Sequence, residues 1–107
     1  MKRVVPTPVP SNPTIADPLA LGAMIRAART ALGMTLADAA LTVGVSKQTL
    51  SDLETAKASV GLAITLKVAK ELGVAVFAVP AAERELVRRA IADLRASNAV
   101  SREERGA

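Results

Sequence analysis

The sequence predicts an all-α fold, a bundle of four to five helices followed by one short C-terminal strand and an extra C-terminal helix. Half of the 107 residues are hydrophobic, yet Phe77 is the single aromatic residue, so the core must be aliphatic and rich in alanine. Such a composition suits closely packed helices better than a β-sandwich. Around Gly44, small and apolar residues recur at spacings typical of two short helices joined by a tight turn.

The composition also excludes several kinds of chemistry. The chain has no cysteine and no histidine, so disulfides, thiolates and the usual zinc ligands are excluded. We therefore expect no catalytic residue, no metal, no cofactor and no enzyme activity. The net charge of +4 is compatible with binding to a polyanion. No apolar stretch is long enough to span a membrane, and early prolines argue against a signal peptide, so a cytoplasmic protein is expected.

The N-terminal segment, residues 1–16, holds four of the six prolines of the chain and is predicted to be a flexible Pro-rich arm. Lys2 and Arg3 could make it a basic arm that reaches DNA phosphates or a minor groove. The alternative is a solvated terminal tail. A first helix begins at Asp17 and Pro18, an N-cap carboxylate followed by proline in the first turn. Its apolar residues up to Gly33 are Leu21, Ile25, Ala28 and Leu32.

The second and third helices carry the most informative pattern. Thr35 caps the second helix, Gly44 ends it where a positive φ is needed, and Ser46 caps the third helix, residues 46–54. The residues that face inward are Ala39, Ala40, Val43, Val45, Leu50 and Leu53, with the closest helix approach expected near Ala40. This is the geometry that places a helix in the DNA major groove. The alternative is an αα-hairpin in an ordinary helical domain. The outward residues are Lys47, Gln48, Ser51 and Asp52.

A fourth helix completes a predicted helix-turn-helix DNA-binding domain over residues 17–73. It is marked by Leu62, Leu66, Ala69 and Leu72 and ends at Gly73. Residues 74–80 then form a β-prone run closed by proline. Since a lone strand leaves its ladder groups unpaired, we expect it to pair with its copy in a second subunit. The alternative is an extended segment packed against the bundle.

A fifth helix is predicted over residues 81–97, with an outer ion pair between Glu85 and Arg89. Its apolar face needs a covering surface, which could be its own bundle, the second subunit or a different protein. Residues 98–107 are polar and charged and are predicted to be a disordered tail. The residues of the apolar face are Leu86, Val87, Ala90, Ile91 and Leu94.

Residues 21–79 resemble the lambda-repressor-like helix-turn-helix family, also called the XRE or Cro/repressor type. The strings that match are Leu21-Gly22, Ile25-Arg26 with Arg29, Gly33-Met34-Thr35, Val43-Gly44-Val45-Ser46, Leu53-Glu54, and Leu66-Lys67-Val68-Ala69-Lys70-Glu71-Leu72-Gly73. The Leu-Gly end of the fourth helix, followed by a valine-rich strand and a proline, is similar to HipB-type antitoxins. In those proteins the strand forms the dimer ribbon, and the antitoxin represses its own operon while it holds a kinase-like toxin.

The resemblance implies a dimeric repressor in the bacterial cytoplasm, associated with the nucleoid, that binds a palindromic double-stranded operator and has no membrane partner. It further implies a structural ion pair between Arg29 and Glu54. The implied DNA-binding residues are Thr35, Ser46, Lys47, Gln48, Thr49, Ser51, Asp52 and Lys57. The implied dimer interface consists of Val74, Val76, Phe77 and Val79.

Two positions depart from the family pattern. Leu36 stands where the family often has glutamine, which removes a phosphate contact, and Asp52 places a negative charge on the surface that would read DNA. These departures motivate an alternative, a protein-interaction adaptor on a helix-turn-helix scaffold with little or no DNA binding. The identity of a toxin partner, if there is one, and the operator sequence do not follow from the residues.

Overall fold

The computed structural model describes the backbone of residues 3–106 and the side chains of residues 3–100. Five α-helices lie in that part of the chain, and the prediction of an all-α helix-turn-helix fold is confirmed. None of the described helices is long and apolar enough to cross a membrane. The helices are α1 (Pro18–Ala31), α2 (Leu36–Val43), α3 (Lys47–Thr55), α4 (Leu62–Glu71) and α5 (Arg84–Gly106), with a 3-10 turn at Ala81–Glu83.

The described residues fall into two units. Residues up to 77, apart from 11–14, form the first unit, and residues 11–14 with those from 78 onward form the second. The core of the first unit is aliphatic and rich in alanine, as the composition predicts. Its buried members are Ile25, Ala39, Ala40, Val43, Leu50, Leu53, Val68, Ala69 and Leu72.

Helix starts in the first unit follow the predicted caps. The Asp17 carboxylate accepts a hydrogen bond of 2.9 Å from the Ala20 amide. Thr35 and Asp38 form a reciprocal capping box at the start of α2. Gly44 ends α2 at φ 85°, in the left-handed region that favours glycine. Local side-chain chemistry therefore determines where these helices begin and end.

A close approach of helices that the sequence did not indicate lies between α1 and α3, at Gly22. A Cβ at Gly22 would lie 2.4 Å from the backbone oxygen of Leu53 and 2.6 Å from that of Glu54. Glycine is therefore required for α1 to contact the backbone at the end of α3. Ala40 is itself buried in the core, as predicted.

The buried face of α4 differs from the predicted one. Leu62 is 71% exposed and Leu66 is 43% exposed, whereas Thr65 and Val68 are buried beside Ala69. The Thr65 hydroxyl donates a hydrogen bond of 2.9 Å to the Gly61 carbonyl, so its polar atom is satisfied inside the helix. Ala69 and Leu72 are buried as predicted, so the prediction is wrong only for Leu62 and Leu66.

The predicted strand at residues 74–80 is not present, and this prediction is wrong for the single chain. Residues 74–79 have no regular secondary structure in the described part. A strand is defined by ladder hydrogen bonds to a neighbouring strand, and residues 3–106 supply none. Val74 packs against the core, whereas Phe77 is 64% exposed.

The N-terminal arm has no helix or strand from residue 3 to residue 16, and it bends at Ser11 and Thr14. Residues 3–10 of the arm belong to the first unit, in which the Thr7 amide donates a hydrogen bond of 2.9 Å to the Thr30 hydroxyl of α1. Lys2 lies outside the described residues, and Arg3 is exposed.

In the second unit, α5 begins at Arg84, after the 3-10 turn, and continues to Gly106 instead of ending at residue 97. The predicted disordered tail is helical over residues 98–106, since this segment lacks proline and is rich in arginine and glutamate, which are good helix formers. Residue 107 lies outside the described part. Glu85 pairs with Arg88, not with Arg89, and this hydrogen bond lowers the pKa of the exposed Glu85 carboxyl below its usual range.

Candidate nucleic-acid interface

The first turn of α3 stands outward from the core. Lys47 and Gln48 are exposed, and both follow the Ser46 cap directly. On the opposite side of the same helix, Leu50 and Leu53 are buried. The helix is therefore anchored by one face and presents the other, polar face to solvent.

At the N-cap of α3, Ser46 and Thr49 are joined by two hydrogen bonds. The Ser46 hydroxyl accepts a hydrogen bond of 3.0 Å from the Thr49 amide and donates one of 2.8 Å to the Thr49 hydroxyl. Ser46 and Thr49 thus orient the helix start, and the Thr49 hydroxyl keeps its own hydrogen as a donor. The Thr35 hydroxyl accepts from the Asp38 amide at 3.1 Å in the equivalent position of α2.

Gln48 and Asp52 are joined to each other. The Gln48 amide nitrogen Nε2 donates a hydrogen bond of 2.8 Å to Asp52 Oδ1, one helical turn later. Asp52 and Ser51 are partly buried, whereas Gln48 is exposed. The negative charge of Asp52 is therefore already partnered before any ligand binds.

The loop after α3 carries a further cation. Ala56 adopts φ 55°, in the left-handed region, and its amide bonds the Asp52 carbonyl to close the helix. Lys57 follows it, and its side chain is exposed. Neither Lys57 nor Lys47 makes a hydrogen bond or ion pair with any described residue, so both ammonium groups are available to an anion.

A buried ion pair fixes α3 to α1. Arg29 Nε donates to Glu54 Oε2 at 2.7 Å, and Arg29 Nη2 donates to Glu54 Oε1 at 3.0 Å. Arg29 Nη1 donates to the Met34 carbonyl at 2.7 Å, which adds the turn before α2 to the same network. The bidentate geometry and burial make this pair part of the scaffold rather than of the exposed surface.

Leu36 has a structural role. Its side chain is partly buried and packs against the core of the first unit. A leucine here contributes apolar contact where a polar residue would reach outward. Leu36 therefore packs against the core at a position where a possible phosphate contact is lost.

Lys67 on α4 was not singled out as a binding residue by the sequence. Its ammonium nitrogen lies 3.8 Å from the place where a Cβ of Gly44 would be, beside the turn between α2 and α3. No spacing within α4 indicates this position, because it depends on how α4 crosses α2. The observation adds one positive charge near the start of α3.

The four residues expected at a dimer interface are Val74, Val76, Phe77 and Val79. Val76, Phe77 and Val79 are exposed and Val74 is partly buried. Within the described part, no group of three or more acidic, histidine or cysteine side chains could hold a metal ion.

A family model described as helix-turn-helix matches residues 25–77, from the middle of α1 to the exposed Phe77. The curated proteins and the solved structures give no match to this chain.

Proposed function

This chain belongs, through residues 25–77, to the lambda-repressor-like helix-turn-helix family of DNA-binding regulators, and from this premise we propose that it is a dimeric, sequence-specific transcriptional repressor. The observation that supports it best is the exposed first turn of α3, which carries Lys47 and Gln48. This helix is capped by Ser46, and its opposite face is buried in the core. A helix held in this way can enter the major groove of a duplex with its N-terminal residues at base edges.

The roles of the side chains follow from their chemistry. Gln48 can bond adenine at two atoms, and Lys47 can donate to guanine O6 and N7. Lys57 is a flexible cation on the adjoining loop and suits a phosphate oxygen. Thr49 and Ser51 can reach bases or nearby phosphates, and Ser46 and Thr35 orient the helix starts through their caps.

The proposal predicts that loss of a base contact and loss of a phosphate contact have different effects on duplex affinity. Gln48→Ala should weaken binding to the preferred duplex by about 1–3 kcal/mol and leave binding to unrelated duplex nearly unchanged. Lys57→Ala should weaken both and reduce the slope of log K against log salt by about one unit. Titration of labelled duplexes over a range of salt concentrations measures both quantities, after selection of preferred sequences from a random pool.

Two results would contradict this assignment. If Gln48→Ala and Lys57→Ala change specific and non-specific affinity in the same way, the division into base reading and phosphate anchoring is wrong. If the natural chain binds no duplex even at low salt, the adaptor alternative is favoured instead.

The dimer is proposed through residues 74–79, where Val76, Phe77 and Val79 are exposed and offer apolar surface to a second copy. Two half-sites on one rigid body multiply their binding constants, which compensates for a small interface per subunit. Val76→Asp places a charge within the proposed ribbon and should convert the protein to a monomer, as measured by sedimentation equilibrium. Ala63→Asp, which adds the same charge at an exposed site on α4, should leave the mass unchanged. If the Val76→Asp protein has the same mass in solution as the natural protein, this interface is excluded.

A second candidate role is that of an antitoxin that holds a toxin protein while it represses its own operon. The exposed apolar side chains of α5 favour it, since Leu86 is 70% and Leu94 60% exposed. Exposed apolar surface of this kind is typical of a protein-binding site. Co-purification with the product of a neighbouring gene, lost on Leu94→Glu, would support the role, and purification of the dimer alone would favour a free-standing regulator.

A further inference from the structure

Asp52 is a carboxylate on the surface of α3 that the proposed function turns toward DNA. A negative charge there repels phosphates, and the simplest expectation is that it weakens binding. The structure instead joins it to Gln48 by a hydrogen bond of 2.8 Å between Nε2 and Oδ1. Asp52 is partly buried and Gln48 is exposed. The Asp52 side chain is therefore the more restrained of the two, and its hydrogen bond holds the Gln48 side chain.

The chemistry of the carboxylate determines which way the Gln48 amide faces. A carboxylate only accepts hydrogen bonds, so the amide atom next to it must be the nitrogen. The oxygen Oε1 is then directed away from Asp52, and Nε2 retains a second hydrogen. Gln48 therefore offers one acceptor and one donor side by side.

That pair of groups matches one base. Adenine presents N7 as an acceptor and N6 as a donor in the major groove, and a glutamine amide bonds both at once. Without Asp52, rotation of the amide by half a turn exchanges the donor and the acceptor, and the side chain can adopt other rotamers. The matching arrangement would then be only one of several.

We propose that Asp52 is a positioning residue that orients the Gln48 amide for an adenine of an A·T pair. The inference rests on the proposed function, in which α3 reads a duplex. Asp52 then contributes to specificity without contacting a base, while its charge lowers general affinity for DNA. Asp52 Oδ1 accepts from Gln48 while Oδ2 can still accept another hydrogen bond, so direct reading of a cytosine amino group is the competing role that the experiment must separate.

A double-mutant cycle tests the proposal. The measured quantity is the discrimination ratio, the Kd for a duplex with the contacted A·T pair replaced, divided by the Kd for the selected duplex. Asp52→Ala should lower this ratio by about tenfold, whereas affinity for unrelated duplex should stay equal or rise. In a Gln48→Ala background, Asp52→Ala should leave the ratio unchanged. Glu71→Ala removes the same charge from an exposed position on α4 and should not affect the ratio.

The other outcomes each overturn the proposal. If Asp52→Ala leaves the ratio unchanged while raising all affinities, Asp52 only repels phosphate. If it lowers the ratio equally in the Gln48→Ala background, or if the selected base is not adenine, Asp52 or another residue reads the base directly. In the free protein, the NMR signals of the Gln48 side-chain amide should shift on Asp52→Ala, and unchanged signals would contradict the hydrogen bond. A natural chain that selects no duplex but shows this shift overturns the proposed function, and the DNA role of Asp52 with it.

Discussion

Gly22→Ala should lower the free energy of unfolding by about 3 kcal/mol, measured by urea denaturation followed by circular dichroism. Alanine normally stabilises the interior of a helix relative to glycine, so the expected sign is the reverse of the usual one. The reason is the crossing of α1 and α3, where the new Cβ would lie 2.4 Å from the Leu53 carbonyl oxygen. A backbone atom cannot rotate away as a side chain can, so the helices must separate.

Gly61→Ala is the matched control. A Cβ at Gly61 has no atom within 4 Å, and the residue has a negative φ of −56°. Its effect on the free energy of unfolding should be below about 1 kcal/mol, the scale of an N-cap change. Equal stability of the two variants would show that α1 and α3 do not need their close contact.

Glu54→Ala should lower the free energy of unfolding by about 3–5 kcal/mol, because it leaves the buried Arg29 guanidinium without its carboxylate. The folded fraction should keep the base preference at the position contacted by Gln48, since Glu54 lies on the buried face of α3. Denaturant titration gives the first quantity and duplex titration the second. The pair would then be structural, and its loss would affect folding before specificity.

Two further variants define the limits of this prediction. The double variant Arg29→Met with Glu54→Leu should recover most of the lost stability, since a buried pair can be replaced by apolar residues of similar size. Glu85→Ala breaks the exposed pair with Arg88 on α5 and should not measurably change the unfolding transition. A Glu54→Ala chain of natural stability but altered base preference would instead make Glu54 part of the reading surface.

Some features of the chain could be predicted because they depend on neighbouring residues. Thr35, Ser46 and Gly44 bond or bend the backbone within a few positions of themselves, so the starts and ends of α2 and α3 follow from local sequence. The alternation of buried Leu50 and Leu53 with exposed Lys47 and Gln48 follows equally from helical period. The family resemblance rests on these same residues, and the match over residues 25–77 agrees with it.

Other features depended on partners that periodicity does not reveal. The face of α4 was predicted from its leucines, but Thr65 and Val68 lie on the buried side, and the hydrogen bond of the Thr65 hydroxyl to the Gly61 carbonyl satisfies the buried polar atom. A strand was predicted over residues 74–80 from β-prone residues, yet strands exist only as pairs. The helical end of α5 was missed because charge was read as disorder, although arginine and glutamate are good helix formers.

The sequence by itself determined the helix-turn-helix core, because caps, turns and amphipathic faces are set by residues three or four positions apart. Only the tertiary structure decided how tightly α1 meets α3 at Gly22, where Lys67 lies beside the Gly44 turn, and how Leu36 is used. These depend on how helices distant along the chain cross, and that geometry is the joint result of every contact in the core. The Gln48–Asp52 hydrogen bond depends on both the sequence and the tertiary structure. The spacing of four residues permits it, and the side-chain rotamers in the folded protein form it.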